Sequence, residues 1–195
     1  FDLLKSALRQ RPDVVIVGEI RGEEAYTFFQ AIALGHGGLT TVHGDSVEAV
    51  IHRFQSPPIN IHKSLLPLIK IYVHISRVEV APQTIGRRVV EVKEIEGIDP
   101  RTGELTLRTP FKWIRDSDTI AFARYSHLIE LIAKRKQIRY EDILNDLLRR
   151  ATIMKWMAKH KVSITELRNI VRRYRIDWLT PYTVAEIEVG PYEIS

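Results

Sequence analysis

Apolar residues occur in two different patterns in the first 55 positions of the chain. Short β-branched runs alternate there with stretches in which apolar residues recur at helical spacing. The runs are Val14–Val17 and Leu39–Val42, and the helical stretches are Asp2–Gln10, Glu23–Leu34 and Ser46–Gln55. Because an alternation of strands and helices is typical of a parallel sheet covered by helices, this part of the chain predicts an α/β fold.

The middle of the chain has the period-two pattern of strands. Ile69–Val80, Arg88–Ile98 and Leu105–Trp113 are separated by turn sequences, of which Asp99-Pro100-Arg101-Thr102-Gly103 is the strongest. Apolar and polar residues alternate in the third of these segments, as expected for a strand with one buried face. We therefore expect a β-meander that continues the sheet beyond the α/β unit.

From Ser126 onward the pattern is helical. A helix over Tyr140–Lys159 would place six apolar residues on one stripe: Leu144, Leu147, Leu148, Ala151, Met154 and Ala158. Ser163-Ile164-Thr165-Glu166 has the form of a capping box and opens a further helix. That helix would turn Leu167, Ile170, Val171 and Tyr174 inward. We expect two domains, residues 1–118 and residues 119–195.

Composition adds three constraints. The chain has 195 residues and no cysteine, which excludes disulfides, thiol catalysis and thiolate metal sites and suits a cytoplasmic protein. The formal charge of +5 arises entirely from residues 123–195, so an acidic partner is expected there. The chain has no apolar run of about 18 residues, and it begins without a methionine or a signal peptide. We expect it to be part of a larger protein.

Glu19 is the first candidate for chemistry. It follows the strand Val14–Val17 directly after Gly18, and Arg21 lies two residues further on. Nucleotide hydrolases place at this point a carboxylate that orients water or accepts its proton. A simpler interpretation is a surface glutamate just past a strand. Arg21 could bind a phosphate, or form an ordinary ion pair with Glu23 or Glu24.

His43 is the second candidate. It follows the strand Leu39–Val42 in a segment with four of the ten glycines of the chain within residues 35–44. An imidazole, threonine hydroxyls and backbone N–H groups can all donate to a phosphate. The alternative is a structural histidine. Zinc is a poor explanation, because His36 and His43 lack His-Glu-x-x-His spacing and no cysteine is available.

A phosphate-gripping loop is missing from the sequence. No segment has the form Gly-x-x-x-x-Gly-Lys-Ser/Thr. If the chain takes part in nucleotide hydrolysis, that loop must come from outside these 195 residues.

Two segments carry a family resemblance. Residues 11–21, Arg-Pro-Asp-Val-Val-Ile-Val-Gly-Glu-Ile-Arg, resemble the Walker B segment of the secretion ATPases, the hexameric motors of type II secretion, type IV pilus assembly, archaellum assembly and conjugation. Residues 35–46 resemble their histidine box. Gly22 stands where the bacterial pattern usually has aspartate, and together with Gly37-Gly38 it is closer to the archaeal branch.

The resemblance implies a fold, a site and two cofactors. The fold is the second half of a RecA-like P-loop NTPase core, with a β-meander and a C-terminal helical subdomain, and the cofactors are ATP and Mg²⁺. Glu19 would polarise the attacking water and support Mg²⁺ through water, and His43 would sense the γ-phosphate with Arg21 beside it. The remaining implied nucleotide-binding residues are Gly18, Glu24, His36 and Thr41.

The resemblance also implies partners. These are a homo-hexamer and a membrane platform protein, with the motor in the cytoplasm at the inner face of the cell membrane and peripheral membrane association. A second hypothesis is a non-catalytic interaction module that docks through basic helices on such a platform or on an acidic partner. Binding of nucleic acid by Arg149-Arg150, Arg168 and Arg172-Arg173 is a weaker third, because no reader motif supports it.

Overall fold

The structure is a computed structural model that describes residues 2–193, except for the side chain of Asp2. Its elements alternate as expected at the start of the chain and become purely helical at the end. The helices are α1 (Asp2–Arg9), α2 (Glu24–Ala33), α3 (Val47–Gln55), α4 (His127–Lys136), α5 (Tyr140–Lys159), α6 (Ile164–Ile176) and α7 (Leu179–Val189). The strands are β1 (Val14–Val17), β2 (Gly37–Thr40), β3 (Ile71–Ala81), β4 (Thr84–Ile98), β5 (Leu105–Ile114) and β6 (Thr119–Phe122). A 3₁₀ helix covers Lys63–Leu68.

The chain divides into two compact units, residues 1–119 and residues 120–195. In the first unit, β1 and β2 form a parallel two-stranded sheet in which Val14 faces Gly37 and Val17 faces Thr40. The α/β fold class predicted from the sequence is confirmed. Because β1 and β2 run parallel, their carboxyl ends lie side by side, and residues that follow these strands are brought together.

The predicted meander exists, but its expected continuity with the first sheet is wrong. The strands β3, β4, β5 and β6 form a sheet of their own in that order, with antiparallel pairing of β3 with β4 and of β4 with β5. Within residues 2–193, no pairing joins this sheet to β1 or β2. Alternation in a sequence predicts that strands exist, but it does not specify which edge they join.

The core of the first unit is built by helices α2 and α3. Phe28 and Phe29 of α2 and Phe54 of α3 are almost fully buried, and the rings of Phe29 and Phe54 meet edge-on at 5.4 Å. Such aromatic pairs stabilise beyond the burial of their area by roughly 0.5–1.5 kcal/mol. This core supports the two strands and the α3 helix that follows the histidine-box segment.

The second unit is a set of helices with a small core. The bounds of α5 match the prediction, and Ser163 and Glu166 form the predicted capping box at α6. The predicted inward stripes are wrong in part. Helix α5 buries Thr152 and Ile153 and leaves Met154 64% exposed, and no described residue of α6 is buried.

The buried face of α5 contains a polar residue, Thr152. Thr152 satisfies its hydroxyl group inside the unit: it donates to the carbonyl oxygen of Leu148 at 3.1 Å, and it accepts from the backbone N–H of Tyr192 at 2.9 Å. A polar side chain can be buried at low cost when it is hydrogen-bonded in this way. The buried face of α5 thus lies beside the expected apolar stripe, of which Met154 remains exposed.

Candidate active site

The segments that follow β1 and β2 are joined at the carboxyl edge of the two-stranded sheet. The hydroxyl group of Thr41 donates to the carbonyl oxygen of Gly18 at 2.5 Å. The backbone N–H of Ile20 donates to the carbonyl oxygen of Thr41 at 3.0 Å. These two hydrogen bonds fix the backbone on both sides of Glu19 against the segment that leads to His43.

Glu19, Arg21 and His43 converge on one point. Nε of Arg21 donates to Oε1 of Glu19 at 2.5 Å, and Nε2 of His43 lies 3.3 Å from the same oxygen. The Glu19 side chain is 26% exposed, whereas those of Arg21 and His43 are largely exposed. The structure thus brings together the three residues that the sequence predicted as catalytic.

The electrostatics of this cluster keep Glu19 ionised. The hydrogen bond from Arg21 is the main cause that lowers the pKa of Glu19, partial desolvation opposes it, and the charges of Arg21, His43 and Arg53 act in the same direction as the hydrogen bond. In return, the hydrogen bond with Glu19 raises the pKa of Arg21. An ionised carboxylate can orient water, accept its proton or attract a divalent cation.

Phosphate binding by Arg21 stays a prediction, but the structure shows which carboxylate its guanidinium contacts. Its guanidinium pairs with Glu19 and not with Glu23 or Glu24. Glu24 instead accepts from two backbone N–H groups with Oε1, that of Arg21 at 2.6 Å and that of Gly22 at 2.9 Å. These bonds lower the pKa of Glu24 and hold the turn before α2. Glu24 therefore acts on the backbone that carries Arg21.

His36 lies away from this cluster. Its Nδ1 is 2.6 Å from the carbonyl oxygen of Pro12, at the point where β1 and β2 begin. Because each strand has four residues, His36 and His43 are separated by the length of the sheet, about 13 Å at the usual rise of a strand. The family resemblance grouped His36 with His43, and in the structure strand β2 lies between the two histidines. A role of His36 in nucleotide binding stays a prediction.

Arg53 is a residue that sequence reasoning missed. It lies on α3, where Nη1 donates to the carbonyl oxygen of His43 at 3.1 Å. It fixes the backbone of the histidine and adds positive charge near Glu19. The available signal was the helix itself, since Ser46 caps α3 by accepting from Ala49 and thereby returns the chain towards the strand ends.

The glycines of the histidine-box segment have a packing role. A Cβ atom at Gly38 would lie 2.8 Å from Cζ of Phe28 and 2.9 Å from Cγ1 of Ile32. Gly35 has a φ of +98°, which ends α2 in a conformation that other residues rarely adopt. At these two positions, close contact of helix with strand and a helix stop explain the glycines without a ligand.

The site offers one carboxylate to a metal ion. Among residues 2–193, no group of three or more His, Cys, Asp or Glu side chains could enclose a cation. Mg²⁺ is commonly held by one or two carboxylates together with substrate phosphates and water. Glu19 fits that mode of binding, whereas a site built from protein ligands alone does not.

The site thus consists of a carboxylate, an imidazole and a guanidinium that meet at the ends of two neighbouring parallel strands in an α/β unit. Residues 1–79 match the sequence profile of the family described as "Type II/IV secretion system protein". The matched residues contain β1, β2 and the whole cluster around Glu19.

Individual relatives are longer than this chain. An uncharacterized protein of Methanocaldococcus jannaschii is 38% identical over 175 residues, which are 90% of this chain and 64% of that protein. The type IV secretion system protein PtlH of Bordetella pertussis is 34% identical over 109 residues, 50% of this chain and 32% of PtlH. The crystal structure of the VirB11 ATPase from the Brucella suis type IV secretion system is 32% identical, with a TM-score of 0.40, over 47% of this chain and 31% of that one.

Proposed function

We propose that the chain is the C-terminal portion of a secretion or pilus-assembly motor ATPase and supplies the hydrolytic half of its ATP site. The observation that supports this most is the convergence of Arg21 and His43 on one oxygen of Glu19 at the carboxyl edge of parallel strands. The match of residues 1–79 to the profile of the type II/IV secretion system proteins also supports it. In this proposal the unit is the second half of a RecA-like core.

Each residue of the cluster has a distinct task. Glu19 orients the attacking water and accepts its proton, and through water it supports Mg²⁺, which neutralises charge on the phosphate oxygens. His43 donates to the γ-phosphate, and Arg21 offers a guanidinium to phosphate once it leaves Glu19. Gly18 and Thr41 hold the two strand ends together, and Glu24 holds the turn that carries Arg21.

The chain supplies no loop that grips the β-phosphate, since its sequence has no Gly-x-x-x-x-Gly-Lys-Ser/Thr segment. The isolated chain is therefore proposed to be inactive. The complete motor is proposed to be a homo-hexamer in the cytoplasm at the inner face of the cell membrane, where ATP-driven domain motion acts on a membrane platform protein. No described helix is long and apolar enough to cross a membrane.

The proposal is tested by ATP turnover of the intact motor with His43→Ala. We expect a loss of roughly 10²-fold, the typical effect of removing one donor to developing charge. His52→Ala is a matched control, because His52 lies exposed on α3, where its Nδ1 is 3.5 Å from the hydroxyl oxygen of Ser56. Turnover by His43→Ala equal to that of the control would contradict the assigned role.

A non-catalytic interaction module is the second candidate. It is favoured by α6, which buries none of its described residues and carries the basic side chains Arg168, Arg172 and Arg175. Nucleic acid is a weaker partner for the helices, because Arg149 lies over the ring of Trp178 and Arg150 over that of Tyr174.

Calorimetric titration of the isolated chain with MgATP separates the two candidates from an autonomous enzyme. Both predict no micromolar binding, since the gripping loop is missing from the sequence. Micromolar binding would contradict the half-site proposal.

A further inference from the structure

Helix α6 carries an apolar face that the described part of the second unit leaves exposed. Ile164, Leu167 and Val171 are 84%, 41% and 51% exposed, and they stand at positions i, i+3 and i+7 of the helix. This spacing places them on one side of two successive helical turns, and we call these three residues the apolar stripe. Together with Thr165 and Arg168 they line a shallow groove of about 340 Å³. Contiguous exposed apolar surface of this kind marks interaction sites.

The apolar stripe is not the face through which α6 packs in its own unit. Ile170 and Tyr174 are half-buried, and the hydroxyl group of Tyr174 donates to Oδ1 of Asp146 on α5 at 2.5 Å. The guanidinium of Arg150 lies over the ring of Tyr174. At the usual 3.6 residues per turn, this packed side of α6 lies roughly a quarter of a turn away from the stripe. The packing of the second unit therefore uses a neighbouring side of α6.

Three arginines border the apolar stripe on the side opposite to this packing. Arg168, Arg172 and Arg175 are exposed and follow each other at helical spacing, and we call them the arginine row. Within residues 2–193, none of them forms an ion pair with a carboxylate. The one acidic residue of α6, Glu166, accepts from the backbone N–H of Ser163 at 2.9 Å in the capping box. Helix α6 therefore offers no carboxylate of its own to the arginine row.

Three basic residues on or beside α4 and α5 are paired inside the unit, in contrast to the arginine row. The pairs are Lys134 with Glu130, Arg139 with Asp142 and Arg150 with Asp146. The arginine row instead carries positive charge without a counterpart in the described part of the unit, directly beside an exposed apolar surface. Carboxylates complement it, because the planar guanidinium can bind a carboxylate through two parallel hydrogen bonds.

We infer that the apolar stripe and the arginine row together bind one acidic amphipathic helix of another polypeptide. Apolar side chains of that helix, recurring at i, i+3 or i+4 and i+7, pack against the stripe. Aspartate and glutamate side chains along one flank of the same helix pair with the arginine row. Because only one flank can face the row, the charges also determine the orientation of the bound helix.

The surface favours a protein helix over other partners. Helices that lie on lipid bury a wide apolar face rich in tryptophan, phenylalanine or leucine, whereas the stripe is narrow and has no aromatic residue. A nucleic acid would contact the arginine row through phosphates and leave the stripe uncovered. A second copy of α6 would bring two arginine rows close together, which repulsion between like charges disfavours.

The inference goes beyond the proposed ATPase function and gives the interaction-module candidate a defined surface. It requires neither nucleotide nor hydrolysis. Because binding is measured without nucleotide, a failure of the ATPase proposal leaves the inference intact, and a failure of the inference leaves the ATPase proposal intact.

The probe is a synthetic, fluorescently labelled peptide of about three heptads, with leucine at the first and fourth position of each heptad and glutamate at the flanking positions. The flanking glutamates also keep the peptide from pairing with itself. A second peptide has lysine in place of every glutamate. Fluorescence anisotropy is measured with the 195-residue chain. We expect the acidic peptide to bind at least about tenfold more tightly than the basic one, with an affinity that falls as salt screens the charges.

One pair of variants tests the apolar stripe. Leu167→Gln combined with Val171→Gln removes apolar contact without adding charge, and we expect binding of the acidic peptide to weaken at least about tenfold. Val184→Gln combined with Ile187→Gln is the matched control, because both residues are exposed on α7 and do not line the groove. This control should bind like the unchanged chain. Circular dichroism of each variant verifies that the helices are retained.

A second pair of variants tests the arginine row. Arg168→Gln combined with Arg172→Gln is expected to weaken binding of the acidic peptide at least about tenfold and to reduce its dependence on salt. Arg135→Gln combined with Lys136→Gln removes the same net charge from exposed positions of α4 and should change neither property. This control separates a local pairing from the general attraction of a basic chain for an acidic peptide.

Four results would overturn the inference. The first is equal affinity for the acidic and basic peptides, and the second is an equal loss of binding in a variant and its control. The third is a dimer of the chain in sedimentation that the stripe variant dissociates, which would make a second copy the occupant. The fourth is binding to vesicles of phosphatidylglycerol and phosphatidylcholine, lost in the stripe variant, without binding of the acidic peptide. That result would make lipid the occupant.

Discussion

Thr41 donates its hydroxyl proton to the carbonyl oxygen of Gly18 at 2.5 Å, across the carboxyl ends of the two parallel strands. A hydroxyl group has one proton to donate, so this bond leaves Thr41 none for a phosphate. Nucleotide binding by Thr41 stays a prediction, and the structure shows a task for its hydroxyl group within the fold. It holds the backbone before Glu19 against the segment that carries His43.

Valine has nearly the shape of threonine but no hydroxyl group. Thr41→Val should therefore remove the hydrogen bond and lower the stability of the fold. We expect the free energy of unfolding to fall by about 1 kcal/mol, the usual net value of one intramolecular hydrogen bond. Urea denaturation of the isolated chain measures it. Thr41→Ser keeps the hydroxyl group and should retain most of the stability. Equal unfolding of the valine and serine variants would show that the bond contributes nothing.

Gly38→Ala tests the close contact between α2 and β2. The added methyl group would lie 2.8 Å from the Phe28 ring, and a core that cannot yield loses about 1–3 kcal/mol on such overpacking. Gly97→Ala on β4 is the control, because its new methyl group would meet nothing within 4 Å. We expect urea denaturation midpoints to separate the two variants clearly. A midpoint of Gly38→Ala at or above that of the control would contradict the packing role.

Arg21→Gln tests the electrostatics of the site. The hydrogen bond from Arg21 holds the pKa of Glu19 below its ordinary value of 4.5 in the folded chain. A depressed carboxyl pKa adds stability above the unfolded-state pKa, and this stability is lost as the pH falls through the folded-state pKa. Without Arg21 the pKa of Glu19 should rise, so the carboxylate should become protonated at a higher pH.

NMR titration of the Glu19 carboxyl carbon measures this change in pKa directly. A range from about pH 2 to about pH 7 covers the ordinary pKa of a glutamate. Arg9→Gln is the control, since Arg9 lies exposed on α1 and pairs with no residue of the cluster. An unchanged Glu19 titration in Arg21→Gln would mean that the ion pair does not form in solution.

The sequence predicted the elements of the site better than their surroundings. The run Val14–Val17 and the helix Tyr140–Lys159 have the bounds that the sequence predicts. Glu19 and His43 met as predicted, since parallel strands place their carboxyl ends side by side. Local patterns were sufficient for these features.

Features that depend on tertiary packing were not predictable in this way. The stripe containing Met154 was expected inward, but the face of α5 that is buried carries Thr152 and Ile153. Arg53 reaches His43 only because α3 folds back towards the strand ends. His36 was grouped with His43 through the family resemblance, whereas in the structure it lies at the other end of the sheet, beside Pro12.

Glu19→Gln in the intact motor tests the central claim most directly. Glutamine keeps the size and polarity of the side chain but cannot accept a proton from water, so we expect ATP turnover to fall by roughly 10²–10⁴-fold while ATP binding is retained. Glu23→Gln is the matched control, because Glu23 is an exposed carboxylate four residues after Glu19 and its replacement removes the same single negative charge. Single-turnover hydrolysis and nucleotide binding are measured on both variants. Turnover of Glu19→Gln close to that of wild type and of Glu23→Gln would contradict the assignment of Glu19 as the hydrolytic carboxylate.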